Sequence, residues 1–112
     1  MSLDGAQAED AALEFLLSQG LRLQQRNYHC RLGEIDLILL DGATLVFVEV
    51  RMRRSQAFGG AAESITPHKR ARLLAAARHY LATQRSTPAC RFDAVLMQRN
   101  GALEWIKDAF GE

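Results

Sequence analysis

Four residues in the first half of the chain have the types and spacing to do chemistry together. Glu34 and Asp36 sit in a Gly-Glu-Ile-Asp stretch, and Glu49 and Arg51 sit in a Phe-Val-Glu-Val-Arg stretch. Half-buried carboxylates repel one another unless something compensates them. A divalent cation is the natural compensator, and hard ions such as Mg2+ or Mn2+ take carboxylate oxygens, a backbone carbonyl and several waters. Such a centre activates water and stabilises charge on a phosphoryl group. A bland alternative is open on the pattern alone: an exposed sheet face with ordinary salt bridges, for example Arg51 with Glu34 or Asp36.

Whether the four residues meet depends on the strands that carry them. Glu34 to Leu40 and Thr44 to Met52 read as two strands joined by a turn at Asp41-Gly42. Alternation puts Val46, Val48, Val50 and Met52 on one face of the later strand and Leu45, Phe47, Glu49 and Arg51 on the other. In the earlier strand Ile35, Leu37 and Leu39 oppose Glu34, Asp36, Ile38 and Leu40. A two-residue loop pairs Asp36 with Phe47, and a four-residue loop pairs Asp36 with Glu49. Both registers gather Glu34, Asp36, Glu49 and Arg51 on one face, whereas a three-residue loop flips one strand.

The remaining elements follow from periodicity. Residues 6–19 read as a helix with Ala12, Leu13, Leu16 and Leu17 at helical spacing and Gly20 as its stop, while the opening Met1 to Gly5 reads as a loose end. Glu9 falls on the apolar face near the start of that helix and is placed to complete the carboxylate cluster. Leu21 to Cys30 reads as a first strand. Arg53 to Ile65 is a loop with Gly59-Gly60 as its flexible point. Thr66 caps a second helix whose first residue is Pro67 and whose apolar stripe is Leu73, Leu74, Ala77, Tyr80 and Leu81, running to about Gln84. Arg91 to Gln98 is a fourth strand, Asn100-Gly101 a hairpin turn, and Leu103 to Lys107 a short fifth strand. The order is α-β-β-β-α-β-β, an α/β domain with a mixed central sheet flanked by helices. A helix between the third and fourth strands makes that pair parallel.

With 112 residues the chain has room for one domain, residues 1–112. Its longest apolar stretches, Ile35 to Leu40 and Leu45 to Val48, are too short to span a bilayer, and no basic segment precedes an apolar one at the start. A cytoplasmic location without membrane contact is the expectation. Cys30 and Cys90 stand in neither CxxC nor ligand spacing, so two buried reduced thiols are expected. The net charge of +1 hides an asymmetry, with eight acids and three bases before residue 51 and eleven bases and five acids from there on. The densest basic stretch holds Arg51, Arg53, Arg54, Lys69, Arg70 and Arg72 against Glu63 alone. Arginine suits bidentate phosphate contact, so nucleic acid is the partner this stretch suggests, with a solvated, solubilising face as the alternative.

Taken together, Gly33-Glu34-Ile35-Asp36-Leu37-Ile38, Phe47-Val48-Glu49-Val50-Arg51, Phe58-Gly59, Thr66-Pro67-His68-Lys69, Arg91-Phe92-Asp93 and the closing Asp108-Ala109-Phe110 resemble the YraN-type family of small bacterial proteins. That family is similar to the PD-(D/E)xK, restriction-endonuclease-like superfamily and to archaeal Holliday junction resolvases. The resemblance implies a restriction-endonuclease-like fold and a metal-dependent endonuclease acting on nucleic acid, DNA first of all, with branched or recombination DNA among the substrates. It implies Asp36 and Glu49 as acidic metal ligands, with Glu9 as the acid supplied by the first helix. It also implies a homodimer, as in resolvases. Glu34 belongs to the family signature and is an accessory candidate. Arg51 stands where the superfamily has lysine. Arginine cannot serve as a base but can stabilise developing charge, and Lys69 is a candidate to stand in for the missing lysine. A non-catalytic nucleic-acid-binding module of the same fold is therefore the alternative. His68 reads as exposed, His29 and His79 as structural or surface, Trp105 and Phe110 as packing residues, Phe58 as an inserting side chain or a loop anchor, and Asp93 as a supporting acid or an edge cap.

Overall fold

The structure, a computed structural model, describes residues 4–52 and 65–110. The elements occur in the expected order: α1 (Gly5–Ser18), β1 (Arg22–Cys30), β2 (Gly33–Asp41), β3 (Thr44–Met52), α2 (Pro67–Leu81), β4 (Cys90–Met97) and β5 (Leu103–Phe110). They build one five-stranded sheet in spatial order β1-β2-β3-β4-β5, antiparallel except for the parallel β3–β4 pair. The parallel pair is the one that α2 connects.

The two faces of the sheet carry separate apolar layers. On one side Leu37, Leu39, Val46, Val48, Val95 and Met97 pack against Ala8, Ala12, Leu13 and Leu16 of α1. On the other, Ile38, Leu45, Phe47 and Phe92 pack against Leu73, Ala76, Ala77 and Tyr80 of α2. Phe47 anchors this second layer, stacked on Phe92 and edge-on to Tyr80, with Phe110 stacked beyond Phe92. Such aromatic pairs add about 0.5–1.5 kcal/mol each beyond the area they bury.

Several local expectations need correction. The chain start is not loose at Asp4, whose side chain accepts from Gln7 N–H at 2.8 Å while the Gln7 side chain accepts from Asp4 N–H at 2.9 Å. This reciprocal cap draws Gly5 into the helix. Ala8 rather than Leu17 completes the buried stripe, and Leu17 is exposed. β5 continues past Lys107 to Phe110 through an irregularity in its pairing with β4, with Asp108 at φ +51°. α2 ends at Leu81, and Thr83 and Gln84 form a tighter turn closed on Tyr80 and Leu81 carbonyls. Both cysteines are free as expected, but Cys90 is exposed at the start of β4 and Cys30, at the end of β1, is half-buried at the edge of the α2-side layer.

Gly33 fixes how closely α2 approaches the sheet. A Cβ at this position would stand 2.2 Å from the Arg72 carbonyl oxygen. Only glycine lets the start of β2 pass under the helix backbone at this distance.

Candidate functional site

The β2–β3 hairpin keeps one register from Asp41–Thr44 to Leu37–Val48, with Leu40 opposite Leu45. This is the alternative that continues to Asp36 opposite Glu49. At that point the strands change behaviour. The Asp36 carboxylate accepts from Val50 N–H at 2.8 Å, so a side chain occupies the line of the sheet where a backbone carbonyl would otherwise bond. On the other flank, Arg26 pairs with Leu37 and Tyr28 with Ile35, which leaves Asn27 beside Asp36, and Asn27 takes φ +51°. Asparagine tolerates this left-handed conformation better than most residues. Asp36 is thus seated at a break in the regular ladder on both sides.

That break also overturns strict alternation at Ile35. The side chain joins the α2-side layer with Ile38 and Phe47 instead of following Leu37 to the α1 side. The left-handed residue in β1 disturbs the pleat locally, and β2 turns Ile35 toward Tyr28 and Cys30 at the edge of that layer.

Asp36 and Glu49 are within hydrogen-bonding reach of each other. Two carboxyls this close and this buried oppose each other's ionisation. Burial pushes the Glu49 carboxyl up to about 8; the Asp36 charge adds to the rise, and Arg51 opposes it. Asp36 is likewise raised, first by burial, with the Val50 N–H opposing and the charges of Glu9 and Glu34 adding to the rise. Arg51 reaches Glu49 at 3.2 Å, and its Nε is buried without a partner among the described residues.

A shallow pocket opens beside this pair. Glu34, Glu49, Arg51, Lys69 and Arg72 line it, so the N-terminal end of α2 faces the acids of β2 and β3. Thr66 caps α2 through Lys69 N–H at 3.3 Å, and Lys69 sits close enough to Glu49 to favour its charged form. The structure therefore brings Asp36, Glu49 and Arg51 together, with Glu34, Lys69 and Arg72 at the rim.

Other residues singled out from the sequence are engaged elsewhere. Glu9 lies near enough to Asp36 to raise it, but its carboxylate is held by Arg26 at 3.0 Å, and the same guanidinium takes Asp10 at 2.7 Å. Glu34 pairs with His29 at 3.1 Å on the exposed rim. Arg70 donates to the Ile65 carbonyl at 3.2 Å and lies over the Phe110 ring, so it helps tie α2 to β5. Arg53, Arg54, Phe58 and Gly59-Gly60 lie outside the described residues. His68 is exposed, His79 bonds the Tyr28 hydroxyl, and Phe110 is buried. Among the described residues no three His, Cys, Asp or Glu side chains come together as a ready-made metal-ligand set. The Asp36–Glu49 pair is a smaller donor set, of the size a hard cation uses when it keeps several waters.

Of the two readings of Asp93, the structure supports the edge cap. Asp93 is fully buried and accepts from Arg91 Nε at 3.0 Å, Trp105 Nε1 at 2.9 Å and Asp108 N–H at 2.9 Å. Arg91 also reaches Asp41 at 2.9 Å. This cluster closes the irregular β4–β5 edge and is structural, not part of the pocket. The Arg-x-Asp spacing within a strand was its one signal, since residues two apart share a face.

The fold and site together define a mixed α/β protein in which two neighbouring, half-buried carboxyls sit at a break in the sheet beside a cationic helix end. The model of the uncharacterised protein family UPF0102 matches residues 8–97. The chain is 57% identical over 108 residues to a UPF0102 protein of Nitrosomonas eutropha, covering 96% of this chain and 93% of the relative. It is 55% identical over 112 residues to a UPF0102 protein of Nitrosospira multiformis, covering 98% and 94%. The chain belongs to the UPF0102 family, in agreement with the YraN-type resemblance of its motifs. Among the described residues no helix is long and apolar enough to cross a membrane.

Proposed function

We propose that this protein is a restriction-endonuclease-like nuclease of the PD-(D/E)xK kind, acting on DNA with Mg2+ or Mn2+ held at Asp36 and Glu49. The observation that carries this reading is the contact between those two half-buried carboxyls at a break in the sheet, opening on a pocket with Arg51, Lys69 and Arg72. Two half-buried carboxyls this close cannot both ionise without cost, and a divalent cation would compensate both charges and displace any proton held there. The bound cation would supply a Lewis acid and an activated water. Arg51 holds Glu49 in place and offers fixed positive charge to a phosphoryl oxygen. Arginine cannot take a proton from water, and Lys69 is the amine nearest to the pair that can. Phosphates of the substrate would meet Lys69 and Arg72 at the positive end of the α2 dipole.

The test is calorimetric titration of Mg2+ and Mn2+ into the wild type and Asp36→Asn. Binding heat in the wild type that vanishes in the variant is the expected result, followed by Mn2+-dependent cleavage of linear, nicked or four-way DNA at enzyme excess. Metal binding without cleavage of any of these would leave the non-catalytic nucleic-acid-binding module, a reading that the replacement of lysine by Arg51 favours. Absence of heat in the wild type, with and without DNA present, overturns the metal reading.

A further inference from the structure

Between Glu63 and Asp93 the chain has no acidic residue, while six bases and two histidines fall in the same interval. Most of that interval is α2. A helix gains stability from acids in its first turn and bases in its last. Arg78 and His79 in the last turn obey this rule, but the first turn has no acid and instead carries Lys69, with Arg70 directly after it. Those cations cost the helix a few tenths of a kcal/mol to about 1 kcal/mol each. Local sequence that works against its own element marks a place where function sets the residue.

The exposure pattern of α2 gives the direction of that function. Leu73, Ala76, Ala77 and Tyr80 are buried against the sheet. The opposite side carries His68, Ala71, Arg72, Arg78 and His79, all exposed, and Arg85 follows, exposed, just past the helix. Arg72, Arg78 and Arg85 have no ion-pair partner among the described residues, whereas Arg26, Arg51 and Arg91 each hold an acid. At about 1.5 Å rise per residue, Lys69 to Arg78 extends roughly 14 Å from the pocket. The alanine between the basic positions keeps the surface low enough for a broad polyanion to lie against it.

We propose that the outer face of α2, from His68 and Arg72 through Arg78 to Arg85, binds the phosphodiester backbone of DNA leading away from the carboxylate pocket. This rests on the nucleic-acid part of the proposed function and extends it, since Arg78 and Arg85 lie outside the pocket lining. The pocket would take one phosphate and the helix face the neighbouring ones. Backbone neutralisation releases condensed counterions, so each contact adds about 0.9 to the slope of log affinity against log salt on duplex DNA.

The experiment measures binding of labelled duplex DNA without divalent metal, from about 50 to 200 mM salt, for the wild type, Arg78→Gln, Arg85→Gln, the double variant and Arg99→Gln. Arg99 is exposed in the β4–β5 turn and serves as the control for net charge. Thermal melting confirms that each variant is folded. The expected result is that Arg78→Gln and Arg85→Gln each lower the slope by about 0.9, so that the loss of affinity over that salt range shrinks by about 3.5-fold per contact, while Arg99→Gln leaves it unchanged. Equal slopes in all five proteins, or an equal drop in Arg99→Gln, overturns the assignment of this face while leaving the pocket reading intact. No salt-sensitive binding by the wild type overturns the nucleic-acid reading itself. Binding to anionic phosphatidylserine vesicles that depends on Arg78 and Arg85, with no DNA dependence on them, gives the face to a membrane surface and also overturns the proposal.

Discussion

Replacing Gly33 by alanine tests how the sequence sets the distance between α2 and the carboxylates. The added Cβ would meet the Arg72 carbonyl oxygen at 2.2 Å and its carbonyl carbon at 2.8 Å. Ordinary contact needs at least about 1 Å more. Both partners are backbone, one in β2 and one in α2, so no side-chain rotation relieves the clash. Overpacking of this kind costs typically 1–3 kcal/mol, and a backbone obstacle puts this case near 3 kcal/mol. The smaller entropy of an unfolded alanine chain returns about 0.4–1 kcal/mol. A net loss of about 2 kcal/mol lowers the melting temperature by roughly 10 °C in a domain of this size. The control is Gly5→Ala, where nothing lies within 4 Å and the residue is helical, and there the melting temperature should hold or rise slightly. Scanning calorimetry on the three proteins decides the matter. A Gly33→Ala protein as stable as the wild type would refute the close approach and, with it, the account of why Lys69 and Arg72 stand over Glu34 and Glu49.

Further outcomes follow from the same geometry. Glu49 is held above its ordinary range by burial beside Asp36, so the folded state keeps a proton that the unfolded chain releases; stability should therefore fall as pH rises from about 4.5 to about 8. Glu49→Gln removes that dependence, and chemical denaturation across this pH range should show a flatter profile than the wild type; identical profiles would sink the assignment of that proton to Glu49. Asp93→Ala leaves Arg91, Trp105 Nε1 and Asp108 N–H without their buried acceptor and should cost about 3–5 kcal/mol, with a changed Trp105 fluorescence; a loss below about 1 kcal/mol would show that the cluster rearranges freely. Arg51→Lys restores an amine that can act on water beside Glu49, and should raise any Mn2+-dependent cleavage by at least an order of magnitude; unchanged activity would place that role at Lys69 or nowhere in the pocket.

Much of the site could be read from residue spacing because β-strands make spacing geometric. The acids and Arg51 sit at alternate positions of a hairpin, and the hairpin register is restricted by the two apolar faces that must both be covered. Leu37, Leu39, Val46 and Val48 bury under α1 while Ile38, Leu45 and Phe47 bury under α2, so a slipped strand would expose one set. The helices were legible for a similar reason, and Thr66-Pro67 opens α2 as its cap chemistry requires. Alternation failed at Ile35, because period-two reasoning assumes a regular pleat and Asn27 beside Asp36 breaks it with φ +51°.

What stayed hidden depended on partners distant in sequence. Periodicity placed Glu9 on the inward face of α1 correctly, but nothing local to Glu9 announces that Arg26 of β1 claims its carboxylate. The same holds for Arg70, which looks like one more phosphate ligand in a basic run until Ile65 and Phe110 are seen around it. Charge counting treats every arginine alike, whereas the fold sorts them. Arg26 and Arg91 are bound to acids, Arg70 braces α2, Arg72 lines the rim of the acidic pocket, and Arg78 is left exposed without an ion-pair partner among the described residues. That sorting is what turns a net charge of +1 into a directional surface. Acids are drawn into the break of the sheet, their neutralising arginines are held beside them, and the surplus positive charge collects on one helix whose N-terminal end opens onto the pocket.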